Sequence, residues 1–270
     1  MRRRSFAPLL LAYGTGLSLS RAGAESRPLP AMRISEDGWG DARISDLRAV
    51  LNSAASILWS YFPNRKIEPI YINRTHTGPM VHYERNYLME IVMDLDSEGM
   101  LWCQYSYQFG HEFCHILSGF DKDGTANLWF EETLCETASL FTLRHMADQW
   151  PTAPPFPNWK SYANALDDYA DKVIKDREKI PPAGLPAFYR KHADDLRANP
   201  TRRELNGAMS LIFLEMFEQS PTSWESISWL NSRPSAREET FPFYLNKWLR
   251  AAPARHQTFI AGIIRAFDLK

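Results

Sequence analysis

The chain is predicted to be α+β and mainly helical, with a small mixed sheet in its N-terminal part and a helical C-terminal part. Three observations carry this expectation. Runs rich in β-branched and aromatic residues, Ile67 to Asn73 and Tyr87 to Leu95, occur in the first third of the chain. Beyond them, apolar residues recur every three to four positions, the helical period. And 270 residues with 44% hydrophobic and 13% aromatic side chains suffice for a substantial core, which excludes general disorder.

The elements follow in order. Leu47, Val50, Leu51, Ala54 and Leu58 form one apolar stripe of a helix, which Phe62-Pro63-Asn64 breaks. The two strand-like runs come next, with Thr77-Gly78-Pro79 as a turn between them. A helix is expected from about Met100 to Ser118, ending near Gly119, and a second from about Leu128 to Asp148. Asp121-x-Asp123-Gly124, between them, reads as a turn, because the remaining ligands of a calcium loop are missing. Pro151, Pro154, Pro155 and Pro157 stiffen a connection inside one unit. Helical spacing returns over Trp159 to Ile180, Leu185 to Asn199, Glu204 to Glu218 and Phe241 to Arg250.

The first residues read as an address. Residues 1–24 combine a cationic start, an apolar centre from Phe6 to Tyr13 and the small-residue site Ala22-Gly23-Ala24, the plan of a secretory signal. Arg3-Arg4-Ser5-Phe6 is similar to a twin-arginine motif. The expectation is therefore an exported protein, periplasmic or secreted, whose mature part is a single domain of residues 25–270. Residues 25–120 would form its α/β part and 121–270 its helical part. Four of the 31 Lys and Arg lie in this leader and no acid does, so the remainder carries 27 basic against 32 acidic residues. A mildly acidic body argues against a nucleic-acid partner, whose phosphates need basic neutralisation. No apolar run is long enough for a membrane span in the mature chain. Three cysteines, Cys103, Cys114 and Cys135, are too few for a disulfide scaffold and are expected as buried free thiols.

The chemistry sits on the two central helices. His111-Glu112-Phe113-Cys114-His115 matches H-E-x-x-H. Residues four apart share a helix face, so both imidazoles can reach one metal ion at about 2.0–2.1 Å. Glu112 then projects beside the metal, where a carboxylate takes a proton from a water acidified by zinc. The next helix reads WFEETLCETAS and places Glu132 17 positions after His115.

HEFCH followed by Trp129-Phe-Glu-Glu-Thr-Leu-Cys-Glu136-Thr resembles the gluzincin metallopeptidases, the group containing thermolysin-like and aminopeptidase-N-like enzymes. The match covers Gln108 to Ser139. The resemblance implies a zincin-like fold with an active-site cleft and one zinc ion held by His111, His115 and Glu132. It further implies Glu112 as the general base and Glu136 as the acid that steadies a ligand histidine. It implies hydrolysis of peptide bonds in a peptide or protein substrate. Thr133 stands where the aminopeptidases have Gly, Glu204 where their transition-state Tyr would be, and no Gly-x-Met-Glu-Asn strand is present.

Several assignments stay open on the sequence. Glu131 competes with Glu132 as the third ligand; Glu132 is preferred because Glu136 shares its face, and either acid could simply be solvated at a helix start. An oxyanion donor is expected from the helical part, with Tyr162, Tyr169, Tyr189, His145 and His192 as candidates. An edge strand in the Pro79 to Leu95 stretch would line a substrate groove and pair with an extended peptide. The alternatives are a non-catalytic, zinc-retaining relative that binds peptides or proteins, and a helical structural protein in which H-E-x-x-H occurs by chance.

Overall fold

The computed structural model describes residues 27–119, 126–233 and 238–269. The leader and the Asp121 to Gly124 turn lie outside the described residues. The chain is mainly helical with one small mixed sheet, as its periodicities predict. In order come β1 (Met32–Ile34), α1 (Ile44–Trp59), β2 (Ile70–Arg74), β3 (Met80–Arg85) and β4 (Ile91–Leu95). Then follow α2 (Trp102–Ser118), α3 (Leu128–Gln149), α4 (Ala163–Asp176), α5 (Leu185–Ala198), α6 (Arg203–Gln219), α7 (Phe241–Ala251) and α8 (Ala254–Ala266). Short 3₁₀ segments, Pro157–Tyr162, Pro182–Gly184 and Pro221–Trp229, join several of the helices.

The sheet order is β1-β2-β4-β3. β1, β2 and β4 are parallel, with Met32 opposite Ile70 and Ile70 opposite Ile91; β3 runs antiparallel to β4 at the edge. The parallel β1–β2 pair requires a crossover, and α1 supplies it. Ile70, Ile72, Ile91, Met93 and Leu95 alternate onto one buried face of the sheet. The apolar stripe of α1 is buried with them in one continuous core.

The run Tyr87 to Leu95 is not one strand. Only Ile91–Leu95 is extended, while Tyr87, Leu88 and Met89 form the tip of the β3–β4 hairpin and are exposed. Asn86 builds that turn: its Oδ1 accepts hydrogen bonds from the Leu88 and Glu90 amides, and Met89 takes a left-handed φ of 59°. Sequence patterning also passed over β1 and α8, while the edge strand expected somewhere in Pro79 to Leu95 is β3. The expected helix Trp159 to Ile180 divides into a 3₁₀ turn and α4, because Pro157 starts the tighter turn and Arg177 is already extended.

α2 and α3 pack side by side at the centre. α2 ends where expected, at Gly119, whose φ of 72° suits the left-handed cap that glycine adopts without strain. Gly110 lets the helices approach: a Cβ there would lie 3.0 Å from Thr142 Oγ1 and 3.3 Å from the Ser139 Cα. α3 is buried nearly all round. Its hydroxyls are accommodated by bonding back one turn, Thr133 to the Trp129 carbonyl and Thr137 to the Thr133 carbonyl. Trp129 anchors the start of α3 against Tyr189 and Phe241, with ring centroids 5.4 and 4.6 Å away. All three cysteines are buried and free, as expected. Among the described residues no helix is long and apolar enough to cross a membrane.

Candidate metal centre

A cavity of about 1190 Å³ opens between the sheet edge and the helical part. Its walls come from the β2–β3 loop and β3 on one side, α2 and α3 at the floor, and α4 and the start of α6 on the other. His111, Glu112, His115, Glu132 and Glu136 all line it, so the packing of α2 on α3 brings these five residues together.

The imidazoles are oriented by carboxylates on both sides. His111 Nε2 lies 3.2 Å from Glu132 Oε2, and His115 Nε2 lies 3.6 Å from Glu132 Oε1. The opposite ring nitrogens face two other acids. His115 Nδ1 sits 2.6 Å from Glu131 Oε1, and His111 Nδ1 sits 3.8 Å from Glu136 Oε1. Both oxygens of Glu131 already accept from Ser118 or Asn231, so Glu131 acts as an acceptor toward His115 Nδ1 and leaves Nε2 turned to Glu132.

Glu131 is therefore not a solvated acid. It is 4% exposed; Ser118 Oγ donates to its Oε1 at 3.1 Å and Asn231 Nδ2 to its Oε2 at 2.6 Å. Tyr244 in turn donates to Asn231 Oδ1 at 3.0 Å. Of the two competing acids, Glu132 faces both Nε2 atoms and Glu131 supports His115 from the far side.

The groups perturb one another strongly. Burial, the largest influence on each imidazole, disfavours its charged form, but the surrounding carboxylates outweigh it and raise both His111 and His115 to about 9. Burial likewise works against ionised Glu132, yet the two histidines hold its pKa below the usual value. Glu112 goes the other way. Burial raises its pKa against the pull of His111 and His115, while the Val81 backbone amide of β3 donates to the carboxylate. A divalent cation entering the site must displace protons from the imidazoles, so its affinity rises with pH.

Donor atoms of His111, His115 and Cys135 lie within 4.8 Å of one another, a grouping compatible with a metal ion. Cys135 is nevertheless the weaker third ligand. It is fully buried, and burial together with Cys114 pushes its thiol well above the ordinary pKa, whereas ligation needs a thiolate. Glu132, whose pKa the two histidines hold low, lines the cavity and lies against both Nε2 atoms.

Among the oxyanion-donor candidates, Tyr169 lines the cavity. The others are engaged elsewhere: Tyr162 with Cys103, Tyr189 stacked on Trp129, His145 bonded to the Phe141 carbonyl, and His192 near Asp195. Tyr107 and Arg177 also line the cavity and were not indicated by the sequence. Tyr107 shares the H-E-x-x-H face of α2, four residues before His111, and that spacing was the available signal. Nothing local marks Arg177, which reaches the site from the end of α4. No protein-family model matches the chain, and no curated protein and no solved structure matches it.

Proposed function

We propose that the protein is an exported zinc metallopeptidase of gluzincin type, with a zincin-like arrangement of sheet, paired helices and cleft. One observation carries this reading: the Nε2 atoms of an H-E-x-x-H pair converge on a carboxylate of the next helix, at the wall of a large cavity. His111 Nε2 lies 3.2 Å from one oxygen of Glu132 and His115 Nε2 3.6 Å from the other, so the carboxylate sits between the two imidazoles. Two imidazoles and a carboxylate are a donor set of catalytic zinc, which leaves a position for water.

His111, His115 and Glu132 would hold the metal. Bound there, zinc would supply Lewis acidity toward the attacking water and the scissile carbonyl. Glu112 accepts a proton from the attacking water and delivers it to the leaving amine; its raised pKa suits both halves of that task. Tyr169 is the candidate donor toward the developing oxyanion. β3, at the sheet edge beside Glu112, offers backbone groups to an extended peptide.

Elemental analysis of the purified chain tests the reading. It should give about one zinc per chain, the stoichiometry of a single three-ligand site. No zinc after incubation with the metal would overturn it.

A further inference from the structure

We propose that Arg177 is a positioning residue of this centre, which it serves by gripping Glu136, and that Gly207 is the gap through which its stem reaches the site. The inference rests on the reading of His111, His115 and Glu132 as a zinc site.

Arg177 follows the last residue of α4 in extended conformation and turns its side chain inward, where it is 10% exposed. Nη1 donates to Ser210 Oγ of α6 at 2.5 Å, and Nη2 donates to Tyr107 OH of α2 at 2.6 Å and to Glu136 Oε2 of α3. The Tyr107 hydroxyl donates to the same Glu136 oxygen. With Oε2 gripped twice, Oε1 is the oxygen that faces His111 Nδ1 at 3.8 Å. That separation is an electrostatic contact rather than a hydrogen bond, so the orientation of His111 depends on where Glu136 is held. Both terminal nitrogens of Arg177 already have partners in the protein, which makes it a poor receptor for a substrate carboxylate and a good clamp.

Gly207 gives an independent indication. It lies in the second turn of α6 and is buried, a place where glycine is among the least favourable helix residues. A Cβ there would come to 3.0 Å from Arg177 Nε and 3.3 Å from its Cδ. The stem cannot simply swing aside, because its terminal nitrogens are tied to three other side chains. The buried pair also has a cost: a charge taken from water is retained only against a desolvation penalty, so a purely structural position would be served as well by an apolar pair.

The test is zinc affinity of the full chain, by competition with a chromophoric chelator, for wild type, R177M, G207A, E136A and E136A/R177M. R177M should weaken zinc about 10- to 100-fold, the usual cost of losing support behind a ligand. G207A, which retains both charges and favours the helix, should weaken zinc in the same direction while circular dichroism shows the fold kept. In the E136A background R177M should cost nothing further, since the grip has nothing left to hold. Wild-type affinity in R177M and G207A, or an R177M loss equally large in the E136A background, would overturn the proposal alone. A wild-type chain without zinc would overturn the metal reading and the proposal with it.

Discussion

Replacing Glu112 with Gln is expected to leave zinc in place and to lower kcat for peptide hydrolysis about 10²- to 10⁴-fold, the usual contribution of a positioned acid–base group. The amide matches the carboxylate in shape, and its oxygen can still accept the Val81 amide hydrogen, so α2 and β3 keep their contact. What it lacks is basicity. Glu112 is 4% exposed and lines the cavity beside His111, where its carboxylate is the group proposed to take the proton. Zinc content and hydrolysis of an unstructured protein substrate, measured on the same preparation, decide the matter. Undiminished turnover with zinc bound would remove Glu112 from the reaction. Loss of both together would make it a structural residue instead.

The second large effect separates the adjacent acids of α3. Glu132→Ala should abolish stoichiometric zinc, since it removes the carboxylate that faces both Nε2 atoms. Glu131→Ala should retain the metal with affinity lowered about 10- to 100-fold, because it frees His115 to rotate without removing a donor. It should also destabilise the fold by about 1–3 kcal/mol, since Asn231 and Ser118 lose their buried acceptor. Equilibrium dialysis with zinc and chemical denaturation measure the two quantities independently. Zinc retained in the first variant and lost in the second would reverse the roles.

What the sequence reveals and what it hides follow from how far each signal reaches along the chain. His111 and His115 are legible because a four-residue spacing fixes a shared face in any α-helix, and Glu132 and Glu136 repeat the argument one helix later. α1, α2 and α3 are legible for the same reason, each within about three residues of its predicted ends, an ordinary boundary error. The role of Glu131 is hidden, because whether it meets water or His115 depends on the rotation of α3 against α2. Arg177 is hidden more deeply, since its partners lie on helices 33 to 70 positions away. The sheet suffered from length and context. β1 spans three residues, and β3 has little apolar alternation in Met-Val-His-Tyr-Glu-Arg. The aromatic and apolar Tyr87-Leu88-Met89 imitates a strand while the neighbouring Asn86 folds it into a turn.

The buried thiols give the molecule an internal clock. Cys114 and Cys135 are fully enclosed on the two helices that carry the site, and Cys103 is nearly so. A thiol reagent can reach the first two only when α2 and α3 part, so their labelling rate counts openings of the centre itself. Cys114 and Cys135 should react together and much more slowly than a thiol in the unfolded chain, and bound zinc should slow them further by mass action. Because no sulfur–sulfur bond closes the described fold, reductant should leave the clock running at the same rate, whichever compartment the chain occupies.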